Sequence, residues 1–163
     1  MASPVLGVVD HSALKVNQTG IVATVLVAFF GSLVFKPLLF LIPLLAVVLL
    51  VGTFAPQLAL FKQLYFRVLR PRGIVKPRPV QDRPEPHNFA QGLGGVFLGV
   101  SSLFLLVGIG NTAAAIIGLA LALLVAVLAF VNLAFGYCLG CQIYYQLGRR
   151  GLIKATTGTT RTV

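Results

Sequence analysis

The sequence predicts an all-α membrane protein with four transmembrane helices. Of its 163 residues, 58% are hydrophobic and only 10% are charged, whereas about 25% are charged in an average soluble domain. Long uncharged intervals separate the charges: 20 residues between Lys15 and Lys36, 25 between Lys36 and Lys62, and 61 from Asn88 to Gly148. Because about 20 residues cross a bilayer as a helix, these intervals hold one, one and two spans.

The first half of the chain contains two spans and a segment suited to the membrane surface. Asp10 is a typical N-cap for the residues that follow it, and the spans are predicted at about Asn17–Phe35 and Leu38–Ala55. Pro37 fits the turn between them because proline is tolerated at the first position of a helix. In Gln57–Leu69 apolar residues mix with basic and polar ones, which predicts an interfacial helix after the second span.

The second half follows a proline-rich connector. Arg70–His87 holds five prolines and five Lys or Arg residues, a composition that favours extended, polyproline-like conformations. The third and fourth spans are predicted at about Phe89–Val107 and Thr112–Val131. The cysteine segment and a second interfacial helix come next, and the Thr-rich and Gly-rich tail 152–163 is predicted to be disordered.

Short sequence matches relate the two halves as an internal repeat. Gln63 starts a Gln-x-Tyr-aromatic segment with a basic end, and Gln142 starts a similar one. Upstream, Gln18 before the first span matches Gln91 before the third. Because both halves start and finish on the same side, we expect two parallel-repeat hairpins related by an axis along the membrane normal. The chain 1–163 is therefore predicted to be a single membrane domain: repeat 1 at about 17–73, linker 74–88, repeat 2 at about 89–151 and tail 152–163.

Basic residues predict the orientation. Of the 13 Lys and Arg residues, all but Lys36 fall on one side of a four-span arrangement. The positive-inside rule makes that side cytoplasmic, so both termini of this multi-pass protein of the cell inner (cytoplasmic) membrane are expected in the cytoplasm. Topology and attraction to anionic lipid explain the net charge of +10, so the lipid bilayer is a predicted partner and nucleic acid is not.

Cys138 and Cys141 are the only cysteines and the leading candidates for chemistry. If the apolar run before them continues as a helix, side chains three apart share a face with Cβ atoms roughly 5–6 Å apart, near enough for a dithiol. Gly136 and Gly140 would loosen that helix. Three interpretations stay open: a redox dithiol, two small residues packed in a helix interface, or ligands of a metal ion.

A metal site would need further ligands. His11 and His87 are predicted on the same side as the cysteines, so Cys138, Cys141, His11 and His87 are a conceivable Cys₂His₂ zinc set. The plainer interpretation is that both histidines are solvated in loops. A covalent c-type haem is disfavoured because Gln142, not histidine, follows Cys141. The sequence identifies no cofactor.

Several other classes of protein are disfavoured. No ionisable residue falls inside a predicted span, which argues against a proton-coupled transporter or an ion pump. The three acids are too few and too loop-bound for paired-carboxylate catalysis. Amide side chains near the span ends are predicted to cap helices or to hydrogen-bond between helices: Asn17, Gln18, Gln91, Asn111 and Asn132.

Four sequence motifs carry a resemblance to a known family. The most specific is Phe-Gly-Tyr-Cys-Leu-Gly-Cys at 135–141, and the others are Asp10 with Asn17-Gln18, Arg70-Pro71-Arg72, and Pro84–Gln91. Together they resemble the bacterial integral-membrane family called domain of unknown function 4395, over nearly the whole chain. The resemblance implies a membrane topology, and the family brings no activity with it.

Two classes of function remain open from the sequence. The first is a thiol-disulfide or sulfur-handling component in which Cys138 and Cys141 face the cytoplasm and react with a thioredoxin-like or rhodanese-like protein. The alternative is a non-catalytic subunit or scaffold of a larger membrane complex that docks a partner through the basic, proline-rich loop. Whether the protein is an enzyme stays open at this point.

Overall fold

The computed structural model describes residues 7–55, 58–82 and 84–151. Four helical segments in it are long and apolar enough to cross a bilayer, as the sequence predicts. The first, third and fourth are α1 (His11–Ser32), α4 (Pro84–Val107) and α5 (Thr112–Phe135). The second, Lys36–Phe54, consists of a 3-10 helix (Lys36–Phe40) and then α2 (Leu41–Phe54). The shorter elements are β1 (Gly7–Asp10), α3 (Leu60–Leu64), a π-helical turn (Tyr65–Leu69), β2 (Pro79–Asp82) and α6 (Leu139–Arg149).

Polar side chains begin two of the spans. Asp10 caps α1, its carboxylate accepting the backbone N–H of Ser12 at 3.0 Å. Asn111 caps α5 by accepting the N–H of Ala113 at 3.0 Å. Such caps satisfy N–H groups that have no partner in the first turn, and each stabilises its helix by about 1 kcal/mol. The predicted N-cap at Asp10 is confirmed.

Helix α4 is the centre of the bundle. It packs against α2, α5 and α6, while α1 packs against α5 and α2. Small residues allow these helices to approach closely: a Cβ placed at Gly95 would lie 3.0 Å from the side chain of Leu50. Where α4 packs against α5, the hydroxyl of Ser101 on α4 donates to the carbonyl of Gly118 on α5 at 2.7 Å. Close packing and interhelical hydrogen bonds are what hold helices together in lipid.

The outward faces of the helices are apolar. No more than 33% of each span's most apolar window is buried inside the chain, and large hydrophobic side chains point outward, for example Val27, Phe30, Val47, Leu103 and Val127. A soluble protein rarely exposes an apolar surface of this extent. The surface therefore matches a bilayer, and the chain is a multi-pass membrane protein.

At one end of the bundle, α1 and α4 begin and α2 and α5 finish. We call this the ribbon end, after the two-stranded ribbon that lies there. There β1 pairs with β2 in an antiparallel ribbon, with Asp10 opposite Pro79. The hydroxyl of Tyr65, which follows α2, donates to the carboxylate of Asp10 at 2.8 Å. Lys62 Nζ donates to Oδ1 of Asn88, on the first turns of α4, at 3.3 Å. These contacts fix the span ends relative to one another.

The proline-rich connector is more ordered than its composition predicts. Residues 79–82 form β2, and α4 begins at Pro84 instead of near Phe89. Backbone N–H groups in the first turn of a helix have no acceptor within the helix. Pro84 and Pro86, which lack an N–H, therefore fit there. Pairing with β1 holds the preceding residues extended.

Other sequence-based expectations have mixed outcomes. The segment after the second span is helical in α3 and the π-helical turn, and a second short helix, α6, follows the fourth span. Their location at the headgroup level, the parallel repeat and its boundaries at 17–73 and 89–151 remain predictions. The tail 152–163 lies outside the described residues.

Candidate functional site

A sharp break separates the fourth span from the cysteines. Gly136 ends α5 with a φ of 69°, in the left-handed region that glycine adopts at helix ends without steric cost. The chain is extended at Cys138, and α6 begins at Leu139. This corrects the expectation of one continuous helix: Cys138 is the N-cap of α6, and Cys141 lies in its first turn.

Cys138 and Cys141 are joined by a disulfide, with their Cα atoms 5.2 Å apart. Sγ of Cys138 accepts the backbone N–H of Cys141 at 3.2 Å, as a capping side chain does. The two residues differ in exposure, because Cys138 is half-buried whereas Cys141 is only 8% exposed. The more exposed cysteine of the pair therefore lies at the helix N-terminus, and the buried one lies in the first turn of α6.

His87 lies against the buried sulfur. Its Nδ1 is 3.7 Å from Sγ of Cys141, and it belongs to the first turn of α4. The approach of α6 to α4 depends on Gly140, where a Cβ would lie 2.6 Å from Cβ of Ala90 and 2.8 Å from its Cα. Only a residue without a side chain permits this packing, so Gly140 positions Cys141 beside His87.

Three of the four proposed metal ligands come together. One ligand atom each from His87, Cys138 and Cys141 lies within 4.8 Å of the others. The ring of His11 is adjacent to that of His87, with centroids 6.2 Å apart in an edge-to-face arrangement, but His11 is not a member of the cluster. The structure thus brings all four residues to the ribbon end and places three of them in one group.

A cavity of about 110 Å³ lies beside the disulfide, between α1, α2, α4, α5 and the start of α6. Cys138 and His87 form part of its wall. Much of the rest is apolar and includes Leu14, Ile21, Leu49, Leu93, Phe97 and Val125. Four carboxamide side chains also line it: Asn17, Gln18, Gln91 and Asn132.

Three titratable groups at the ribbon end have shifted pKa values. Burial alone would raise the pKa of the Asp10 carboxyl, but hydrogen bonds from Tyr65, Arg78 and Ser12 outweigh it, and the pKa is lowered from its ordinary 3.8. Burial, reinforced by the bond to Asp10, raises the pKa of the Tyr65 hydroxyl. Burial lowers the pKa of the Lys62 amine.

The sequence predicts the cysteines and a conceivable grouping of them with His87, but not the packing that brings these residues together. Gln91 was expected to cap a helix or to bond between helices, and it donates to the carbonyl of Leu49 on α2 at 3.2 Å. The sequence places His87 and Cys141 on the same side of the membrane, but their direct contact depends on how α6 folds back onto α4, which the sequence does not predict. A glycine directly after a long apolar helix is a common termination signal, so Gly136 could have revealed the break.

Comparison with known proteins identifies a family. The family model described as "Domain of unknown function (DUF4395)" matches residues 9–149, a range that includes the four spans, the ribbon end from Val9 onward and both cysteines. No curated protein and no solved structure matches the chain.

Proposed function

Because the chain belongs to the DUF4395 family, whose description assigns no activity, we propose its function from the site itself. Cys138 and Cys141 act as a reversible thiol-disulfide couple at the ribbon end and exchange electrons with a partner protein. The observation that carries the proposal is the position of Cys138, half-buried at the N-terminus of α6 with its sulfur accepting the N–H of Cys141.

The geometry gives the two sulfurs different roles. A partner thiolate attacks the accessible Cys138 sulfur, forms a mixed disulfide and releases Cys141 as the leaving thiolate. His87, 3.7 Å away, is placed to supply the proton that Cys141 takes up. The partner's second thiol then attacks the mixed disulfide and releases Cys138. The partner dithiol becomes a disulfide, and two electrons have moved to Cys138 and Cys141.

The released Cys138 thiolate is stabilised where it forms. Cysteines at helix N-termini are more acidic than free cysteine because N–H groups and the helix dipole favour the anion. α6 supplies both, since it is 11 residues long and its first-turn N–H points at the sulfur. Cys138 is therefore the sulfur suited to meet a partner, and Cys141 the one that leaves as the mixed disulfide forms.

The charge of the ribbon end supports an orientation and a class of partner. Nine of the ten Lys and Arg residues among those described belong to segments at this end; they are Lys15, Lys62, Arg67, Arg70, Arg72, Lys76, Arg78, Arg149 and Arg150. By the positive-inside rule the ribbon end faces the cytoplasm of the inner membrane. The partner is then a soluble cytoplasmic protein with its own reactive thiol, of the thioredoxin-like or rhodanese-like kind.

Glutathione disulfide tests the assignment on purified protein in detergent. The Cys141→Ser variant should form a stable mixed disulfide at Cys138, read by intact-protein mass. The matched Cys138→Ser variant should react at least tenfold more slowly, because Cys141 is buried. Equal reaction of the two variants, or wild-type thiols that stay reduced under mild oxidant, would exclude the proposal.

A zinc site is the second candidate, favoured by the grouping of His87, Cys138 and Cys141 within 4.8 Å. A disulfide and a zinc thiolate site exclude each other, since both use the same sulfurs. Reduced protein incubated with Zn²⁺ and then desalted should retain one equivalent if this candidate holds, and the His87→Phe variant should retain less. Retention that also blocks oxidation to the disulfide would make the metal role primary.

A further inference from the structure

The cavity beside the disulfide is lined by neutral polar groups and apolar walls. Among the described residues that form it, none is Asp, Glu, Lys or Arg. Its volume of about 110 Å³ is below the roughly 150 Å³ of an enclosed cavity that binds benzene, but the cavity is open to the outside, so a ring-shaped ligand would occupy it only in part. Phe97 and Leu128, both on its wall, are each 37% exposed on the outer apolar surface. The cavity therefore suits an uncharged molecule that reaches it from the lipid.

The carboxamides of the wall are hydrogen-bonding groups. Asn17, only 6% exposed, lines the cavity together with Gln18 and Asn132, and none of these described amide groups is fully enclosed without a hydrogen-bond partner. Gln91 uses one N–H on the carbonyl of Leu49. A carboxamide offers two N–H donors and a carbonyl acceptor, so the amide of Asn17 can bond a molecule that enters the cavity.

The chemistry of the wall selects a class of ligand. Amide N–H groups favour a ligand with neutral oxygen acceptors, and Leu, Phe and Val side chains favour a flat or branched apolar body. The same cavity reaches Cys138, so a ligand in it lies beside the proposed redox couple. We infer that the cavity binds the head group of a lipid-soluble quinone, which accepts the electrons of the Cys138 and Cys141 dithiol; this inference rests on the proposed function.

The reaction balances with the quinone as the only co-reactant. Two S–H bonds are broken, one at Cys138 and one at Cys141, and the S–S bond forms; if Cys138 is already a thiolate, the proton that it released returns to the quinone from solvent. The two electrons and two protons pass to the quinone, whose carbonyl oxygens become the hydroxyls of a quinol. His87, beside Cys141 and on the cavity wall, is placed to take the proton of that thiol. The regenerated disulfide can then accept electrons from the next partner dithiol.

Binding can be measured without the redox step. In the Cys138→Ser, Cys141→Ser double variant, a quinone with a fully substituted ring and a ten-carbon tail should bind with one-to-one stoichiometry by equilibrium dialysis in detergent. Full ring substitution prevents thiol addition to the quinone in the later assay. Asn17→Leu in this background should raise the Kd roughly tenfold, the upper range for one buried hydrogen bond. Gln146→Leu, a similar change on an exposed part of α6, should leave the Kd unchanged.

Turnover separates this inference from the proposed function. Pre-reduced wild type should convert one equivalent of the quinone to quinol as its disulfide re-forms, and Asn17→Leu should slow this step while its disulfide is still reduced normally by dithiothreitol. If dithiothreitol and glutathione disulfide cycle the thiols but the quinone neither binds nor oxidises them, the quinone inference is overturned and the thiol couple stands. If the thiols never cycle, both fall. Equal binding by wild type and Asn17→Leu would also overturn the cavity assignment.

Discussion

Nδ1 of His87 lies 3.7 Å from Sγ of Cys141, although 54 residues separate them in the sequence. His87 is held on the first turn of α4, and Cys141 on the first turn of α6, so the contact depends on the close packing of these two helices. A proton donor or acceptor beside the buried sulfur is what a resolving cysteine needs when it leaves or attacks as thiolate.

Replacing His87 should therefore slow only those reaction steps in which Cys141 takes part. His87→Phe keeps a ring in place but removes both nitrogens, and we expect reduction of the disulfide by dithiothreitol to slow on the order of 10-fold to 100-fold. Stopped-flow or quenched alkylation gives the rate. In the Cys141→Ser background the same replacement should leave the reaction of Cys138 with glutathione disulfide unchanged. A slowing of both reactions would indicate that His87 is needed for structure alone.

Asp10 should make the stability of the ribbon end sensitive to acid. Its lowered pKa means that the charged carboxylate is favoured in the folded state. The stabilisation is therefore fully present above the ordinary pKa of 3.8 and is lost as the pH falls through the lowered value. Asp10→Asn should reduce the free energy of unfolding by about 1–2 kcal/mol at pH 7, measured by denaturant titration in detergent.

The acid dependence supplies its own control. The difference between wild type and Asp10→Asn should shrink as the pH falls from 3.8 through the lowered pKa, because the carboxyl is protonated first in the unfolded chain and then in the folded protein. Tyr65→Phe should be destabilising at pH 7 and non-additive with Asp10→Asn, since the two share one hydrogen bond. Tyr145→Phe, on an exposed ring, should have little effect. A difference that is constant with pH would contradict the role given to Asp10.

A methyl group at Gly140 should disturb the site from outside the redox couple. In Gly140→Ala the new Cβ meets the backbone of Ala90, so α6 has to move away from α4 and carry Cys141 from His87. We expect a loss of about 1–3 kcal/mol in stability, typical of overpacking, and slower disulfide reduction. Gly99→Ala on α4 is the matched control, because a Cβ there meets nothing within 4 Å, and it should leave both quantities unchanged or slightly improved.

Topology can be tested with single cysteines in the Cys138→Ser, Cys141→Ser background. Pro79 lies in the ribbon, and Gly110 lies in the turn between α4 and α5 at the other end of a span. A membrane-impermeant maleimide added to intact cells should label Gly110→Cys and spare Pro79→Cys until the cells are opened. Labelling of both from the same side would be incompatible with four spans.

The spans and the chemical pair could be predicted from sequence for simple physical reasons. A bilayer excludes charge over a fixed thickness, so the intervals bounded by Lys15, Lys36 and Lys62 already mark the helices. The N-cap at Asp10 is a local preference that survives in the fold. Cys138 and Cys141 attracted attention because they are the only thiols in the chain.

The surroundings of the pair could not be predicted, because they depend on long-range contacts. β1 forms because residues 7–10 pair with residues 79–82. Neither segment shows the alternation of apolar and polar residues that would predict a strand. The break at Gly136 was hidden by the apolar side chains on both sides of it. Without that break, Cys138 is not predicted to cap a helix, and the direct contact of His87 with Cys141 is not predicted.

The site draws on both ends of the chain, from Asn17 in the first span to Gly140 after the fourth, and this has a consequence for biogenesis. A polypeptide leaves the ribosome with its N-terminus first, so the thiols are synthesised after every helix they will contact. A nascent chain that has inserted three spans already holds His87 and the carboxamides of the first and third helices but has no sulfur to oxidise. Under the proposed function, the couple can therefore form only after the fourth span has been synthesised, and a chain that stops before Cys138 contains no thiol.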